Sequence, residues 1–354
     1  MEFTPAWLER YLSHRLGSAV IVKEEDITRF PRGSSRETWF INYRSKDDIE
    51  ALKSIVFRLD FRGGSTDPSS LDQEYFMYER LGQTDVPVAK ALWWEDDPSW
   101  TDRPFYTREH VEGSWDVPHY QDPDPAYDEM RIAISKEHLS KLALIHQLDW
   151  KALGFDKYLP APTSVEDCAK VFVESLMSMM EDIRTSAIPL FLEAGEWLID
   201  NAPIAPRISL CKGTNGLGEE IFRGQKIVAM SDWEEASIGH PAADFAFMQD
   251  FVPEIEHDGQ KIWGLEHALD YYYSLSGIRI TPEAVAYYHK LRSLKTILFG
   301  QKAGGAIHAN FDGPIRQTWT GTEVLHIGKY VTASAIGIVP PHSGDRFSEL
   351  NQLV

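Results

Sequence analysis

Cysteine is nearly absent: the 354 residues hold two, Cys168 and Cys211, far apart and in no ligand-like spacing. That excludes a disulfide framework and a cysteine-built zinc site. Long apolar runs are also missing. None reaches the ~18 residues that would mark a membrane span, and the stretch around 330–339 is short and interrupted by Gly337. The N-terminal MEFTPAWLERYL has no basic segment followed by an apolar one, so no secretory leader is expected and a cytoplasmic location is. Positive charge is scarce, with 35 Lys and Arg against 54 Asp and Glu and a net charge of −19. Nucleic acid and anionic membrane surfaces are therefore poor partners, since both require clustered cations. A small anionic ligand held by a local basic patch stays open. There is no internal repeat and no low-complexity linker. No G-x-S-x-G, H-E-x-x-H or C-x-x-C occurs, which leaves hydrolase and redox readings without support.

What is present is a folded chain. Hydrophobic residues make up 43% and charged residues 25%, ordinary for a globular protein. Eleven Trp, fourteen Tyr and seventeen Phe supply apolar pockets as well as a core. The length suits one large bilobal domain or two ordinary ones. Residues 37–44 and 54–59 are rich in β-branched and aromatic side chains and flank a polar turn at 45–48, which predicts a hairpin. Leu71, Tyr75, Tyr78 and Leu81 recur at helical spacing. Residues 88–94 and 104–111 read as further strands. A wide apolar stripe predicts a buried helix over 135–147. Two short apolar runs, 208–210 and 227–230, flank a glycine-rich loop and predict a small hairpin. Everything after 240 reads as mostly helical. The sum is α+β: an N-terminal antiparallel sheet with one helix over 1–113, a hinge near 109–113, and a larger, mainly helical lobe over 114–354.

The segment IVAMSDWEEASIGHPAADFAF, residues 227–247, is a strand, then Asp-Trp-Glu, then a turn and Gly-x-Pro-x-x-Asp-Phe-Ala. It resembles the signature of the aminoglycoside-phosphotransferase family, whose members share a bilobal protein-kinase-like fold; His240 replaces the usual Asp. LALIHQLDWKALGF (142–155) and residues 69–113 extend the likeness in the right order, nearest the branch associated with acyl-CoA dehydrogenases. The resemblance covers roughly residues 20–300. It implies ATP-dependent transfer of a phosphoryl group to a hydroxyl of a small molecule, with ATP and Mg²⁺. Asp232 would hold the metal. Gly33, Ser34 and Ser35 would cradle the phosphates. Arg58, where the family usually has Lys, would pair with phosphate and with Glu74. Glu109 would belong to the nucleotide-reading hinge, and Asp244 would brace the catalytic loop.

That loop departs from the family's H-G-D-x-x-x-x-N. Glu219 lies thirteen residues before Asp232 and Thr214 five before Glu219, so the register is intact. Lys212 stands for the histidine, Thr214 for the catalytic aspartate and Glu219 for the asparagine. A threonine is no base near neutral pH, and general-base catalysis is worth roughly 10²–10⁴-fold. Lys212, Thr214, Asn215, Glu219 and Asp232 are the candidate catalytic residues, with Glu219 and Asp232 as a two-carboxylate metal clamp. The alternative is a kinase-like binding or regulatory protein without turnover.

The acceptor is expected against the C-terminal helices. Tyr287, Leu291, Leu294 and Ile297 mark one face of a helix over 286–304. The abundance of aromatic residues there points to a small, partly apolar alcohol, and the resemblance to the branch associated with acyl-CoA dehydrogenases implies a hydroxyacyl thioester or an aromatic or alicyclic alcohol. His146, His289 and His308 are read as structural.

Overall fold

Helix α1 (Pro5–Leu16) opens the chain. Thr4 caps it by accepting the Trp7 N–H, Pro5 occupies the first turn, and Gly17 ends it at φ +68°. The structure is a computed structural model that describes residues 3–340, apart from 32, 34, 63, 66, 68, 185–186 and 311–314.

A six-stranded antiparallel sheet follows. Its strands are β1 (Val20–Ile21), β2 (Ile27–Arg29), β3 (Arg36–Ser45), β4 (Asp48–Asp60), β5 (Ala91–Glu95) and β6 (Phe105–Glu109). They run in the order β1-β3-β4-β6-β5, with β2 also paired to β3. The β3–β4 hairpin turns at Ser45–Asp48, where the polar turn was expected. One sheet face packs on α1 through Leu8, Tyr11, Ile41, Phe57 and Phe105. Helix α2 (Leu71–Leu81) buries Met77, Tyr78 and Leu81 in the other, larger core.

The second lobe is built on α3 (Asp128–Gln147), α4 (Cys168–Ile183) and α5 (Pro189–Asp200). The small strands β7 (Ser209–Cys211), β8 (Glu220–Arg223), β9 (Lys226–Met230) and β10 (Ser237–Gly239) come next, then α6 (Ala242–Phe245). The hairpin β11 (Ile255–His257) and β12 (Gln260–Trp263) precedes α7 (Leu265–Ser276), α8 (Pro282–Asn310), α9 (Ile315–Trp319) and α10 (Leu325–Ala335).

The hairpin expected from residues 208–210 and 227–230 is not formed. β7 pairs with β10, and β9 pairs with β8. Two small ladders thus replace one, and the loop over 212–219 is held at both ends. The lobes are joined here by Met230 N–H, which donates to Pro87 O at 2.7 Å, and just past the expected hinge Ser114 and Phe222 exchange backbone bonds at 2.8 and 2.7 Å. Tyr287, Leu291, Leu294 and Ile297 of α8 are all buried, as their spacing predicts. Among the described residues no helix is long and apolar enough to cross a membrane.

Candidate active site

Between the sheet and the β8–β9 region lies a cleft of about 420 Å³. Its walls bring together Gly33, Ser35, Arg58, Glu74, Glu219 and Asp232 from five separate places in the sequence. A Cβ on Gly33 would meet the Arg36 carbonyl oxygen at 2.6 Å, so that turn needs glycine. Ser34 lies outside the described residues.

Arg58 points inward from β4. Its Nε is 3.3 Å from Glu74 Oε1 on α2, and one Nη1–H donates to Thr38 Oγ1 at 2.7 Å. Glu74 is buried and also accepts the Tyr106 hydroxyl at 2.9 Å. Burial alone would raise its pKa, but Arg58 and Arg36 hold the carboxylate below its ordinary range.

The strand β9 ends at Met230 and delivers Asp232 to the cleft at φ +63°, a left-handed conformation that a non-glycine residue adopts only when its surroundings enforce it. The enforcement is visible: Asp232 N–H donates to the Tyr78 hydroxyl at 3.3 Å, and its carbonyl accepts the Thr214 hydroxyl. Asp232 Oδ1 is buried without a hydrogen-bond partner. Glu219 stands beside it. Its Oε2 accepts the Gly216 N–H at 3.2 Å, and its carbonyl accepts the Ser231 N–H at 3.0 Å. Burial and the Asp232 charge push Glu219 up to about 8, and burial also raises Asp232. Two carboxylates crowded out of water invite a hard cation with oxygen ligands.

Glu234, two residues on, reaches back to the sheet. It accepts from Ser35 Oγ at 2.8 Å and pairs with Arg36 at 2.9 Å and Arg58 at 3.4 Å. Arg36 is itself fully buried and binds Asp60 and Glu74 at 2.8 and 3.1 Å. The sequence reading missed Arg36 and the cross-lobe role of Glu234. The available signal was Arg36 at the mouth of an inward-facing strand, opposite Asp60 in the hairpin register.

Lys212, Thr214 and Asn215 do not line the cleft. Lys212 is fully buried, with its ammonium 3.3 Å from the equally buried Glu220. Burial disfavours its charge, but Glu220 and Glu219 outweigh that and hold the ammonium above its ordinary range. Asn215 Nδ2 donates to Asp244 Oδ1 at 2.9 Å. Asp244 also accepts the Lys212 and Gly213 N–H groups at 2.8 and 2.7 Å and bonds His146 Nε2 at 2.8 Å. His146 meets the Tyr272 hydroxyl with its other nitrogen. His289 Nδ1 sits 3.2 Å from the Ala246 carbonyl, whereas His308 is exposed. Glu109 is an exposed residue at the end of β6 and is not on the cleft wall. Its neighbour Arg108 is, with its guanidinium 4.6 Å above the Tyr78 ring. Arg316 of α9 also lines the cleft, a contribution no local pattern announces.

The sequence profile of the phosphotransferase enzyme family matches residues 26–272. Acyl-CoA dehydrogenase family member 11 of Mus musculus is 28% identical over 259 residues, covering 69% of this chain and 30% of that protein. The chain thus spans about a third of that relative's length. Among solved structures, a putative aminoglycoside phosphotransferase from Ralstonia eutropha superposes with a TM-score of 0.63 at 21% identity, covering 94% of this chain and 98% of that one. The ternary complex of APH(2")-IIa with streptomycin and ATP superposes at 0.52 and 13% identity, covering 94% and 99%. Both share the fold, and with the profile spanning most of the chain, the protein belongs to the phosphotransferase enzyme family.

Proposed function

We propose that the protein transfers the γ-phosphoryl group of ATP to a hydroxyl of a small, partly apolar molecule, with Mg²⁺ between Asp232 and Glu219. The observation that carries this reading is the pair of crowded carboxylates, one oxygen of Asp232 without a partner, facing Arg58 across a single cleft. Oxygen donors of this kind suit Mg²⁺, and the cation would offset the burial that raises both groups and the Asp232 charge that adds to it at Glu219. When bound it would neutralise charge on the transferred phosphoryl group. Arg58, fixed by Glu74, offers a forked cation to the phosphates. Gly33 and Ser35 close the turn above them. The solved relative that holds ATP in the same fold supports the choice of nucleotide.

In the reaction the acceptor oxygen bonds to the γ-phosphorus, the bond from phosphorus to the bridging oxygen breaks, and its electron pair leaves with ADP. The hydroxyl proton passes to water. Thr214 cannot take it, and its own hydroxyl is donated to the Asp232 carbonyl. Lys212, Thr214 and Asn215 therefore act as positioning residues that fix the loop rather than as groups touching the reacting atoms. Rate comes from positioning and charge, which carry most of phosphoryl transfer.

One observation favours a second reading, a kinase-like binding protein: no carboxylate stands at the Thr214 position. A thermal-shift titration with ATP, with and without Mg²⁺, on wild type and Asp232→Ala tests both. At ~100 times the dissociation constant, nucleotide stabilises by about 2.7 kcal/mol. The expected result is a Mg²⁺-dependent upward shift that Asp232→Ala abolishes, followed by acceptor-dependent ADP release. Nucleotide binding without turnover on any hydroxylated compound would establish the binding protein instead, and no shift with any nucleotide would sink both.

A further inference from the structure

The cleft receives one cation from beyond the family-matched residues 26–272. Arg316 lines the same walls as Gly33, Ser35, Arg58, Glu219 and Asp232. It stands on α9, a short and largely exposed helix that follows α8. Two anchors fix where α9 lies. Gln317, the next residue, is 1% exposed, and its amide donates to the Gly64 carbonyl at 3.5 Å. On the other side, a Cβ on Gly321 would lie 2.7 Å from the Gly304 nitrogen, so this segment rests with its backbone directly on α8. Lys302 of α8 in turn donates to the Asp67 carbonyl.

These anchors decide which end of the cleft Arg316 serves. Arg36 faces Asp60 across the β3–β4 register. The turn of Gly33 and Ser35 that enters β3 and the residues that leave β4 toward Gly64 and Asp67 therefore emerge at the same end of the sheet. At the other end Ile55 faces Glu109, beside the expected hinge. Through Gly64, α9 belongs to the end where phosphates would lie, away from the end where a base would.

The wall holds four carboxylates, Glu74, Glu219, Asp232 and Glu234, and three guanidinium groups, Arg58, Arg108 and Arg316. Arg58 is divided between Glu74 and Glu234 at 3.3 and 3.4 Å. Arg108 lies over the Tyr78 ring and donates to its hydroxyl. A triphosphate would add charge of the sign already in excess, so its last phosphoryl group needs a cation besides the metal. Arg316 enters from the exposed side of the cleft, where that group would be transferred.

We propose that Arg316 is a further catalytic residue, a cation supplied by α9 that donates hydrogen bonds to the γ-phosphoryl oxygens and stabilises the charge they carry during transfer. This rests on the phosphotransferase reading and adds a residue to it. An arginine brought to a transferring phosphoryl group from outside the nucleotide motifs is worth roughly 10³–10⁵ in rate in enzymes that use one. Such a group also answers the loss at Thr214, because charge stabilisation carries rate where a base is missing. The guanidinium keeps its protons throughout. The bond from the acceptor oxygen to phosphorus forms, the bond to the bridging oxygen breaks with its electron pair leaving on ADP, and the hydroxyl proton passes to water.

The test needs no acceptor. Calorimetry on the full chain compares Mg-ADP with the magnesium complex of the non-hydrolysable β,γ-imido analogue of ATP, for wild type, Arg316→Gln and Arg316→Lys. Wild type is expected to bind the triphosphate analogue more tightly than ADP. Arg316→Gln should lose at least about 10-fold in affinity for the analogue, the scale of a hydrogen bond to a charged group, with Mg-ADP binding unchanged, and Arg316→Lys should recover part of the loss. A merely structural role would weaken both nucleotides together. Equal loss for both, loss for neither, or a wild type that does not distinguish the two overturns the proposal and leaves the phosphotransferase reading standing. A wild type that binds neither nucleotide refutes that reading and the role of Arg316 with it.

Discussion

Replacing Arg36 by methionine removes a buried charge shared by three carboxylates. Its partner Asp60, at 2.8 Å, is 40% exposed, so that pair contributes under about 1 kcal/mol. Glu74 and Glu234, at 3.1 and 2.9 Å, are 1% and 11% exposed, and each would lose a partner in a dry environment. Breaking a buried pair costs roughly 3–5 kcal/mol. Here Arg58 stays 3.3 Å from Glu74 and 3.4 Å from Glu234, and the Tyr106 and Ser35 hydroxyls remain. That places the expected loss at the lower end, about 3 kcal/mol. With an unfolding entropy of roughly 2.1 cal/mol/K per residue, a chain of this length would lose about 4 °C in Tm. Chemical denaturation gives the free energy and a thermal scan the temperature. Adding Glu234→Gln to Arg36→Met removes the carboxylate left without its partner, so the double variant should be more stable than the sum of the two losses predicts. A single variant within 0.5 kcal/mol of wild type, or strict additivity in the pair, would refute the buried network.

Gly213→Ala should cost about 3 kcal/mol, from a left-handed φ of +89° and a Cβ driven onto the Glu235 carbonyl, measured by chemical denaturation. Glu219 supplies a pH signature. Its folded pKa of about 8 exceeds the ordinary 4.5, so the native state binds more protons between those values and stability falls as pH rises through that window. Glu219→Gln should flatten that slope in Tm measured from pH 5 to 8.5, and saturating Mg²⁺ should flatten it in the wild type; an unchanged slope in both would refute the assignment.

Much of this architecture is legible in the sequence because it is local. The β3–β4 hairpin follows from its turn and alternation, α2 from Leu71, Tyr75, Tyr78 and Leu81, and the Asp232 turn from the strand before it. What was not legible is long-range. The strands β7 and β10 are three residues each, too short to show a period, and their pairing joins segments separated by the whole of β8 and β9. Arg36 reads as a surface charge until the fold brings Glu74 and Glu234 around it. Lys212 reads as a candidate catalytic residue until Glu220 is found behind it. Arg316 arrives at the cleft only through the path of α8 and α9.

The altered catalytic loop is better understood as a matched set than as a decayed one. A lysine in the histidine position is buried completely, and alone it would surrender its charge to desolvation. Glu220, eight positions on and equally buried, keeps it charged and is itself held below its ordinary pKa by Lys212. Thr214, useless as a base, donates its hydroxyl to the carbonyl of Asp232 and so helps hold the left-handed turn that aims the carboxylate. Glu219, in the asparagine position, gives that carboxylate a partner of the same kind. Lys212 and Thr214 thus each have a reciprocal, and losing either partner would leave a buried charge or a strained turn without support. Drift toward inactivity has no reason to preserve such reciprocity, whereas the proposed function, in which the loop would present two carboxylates to a cation, does.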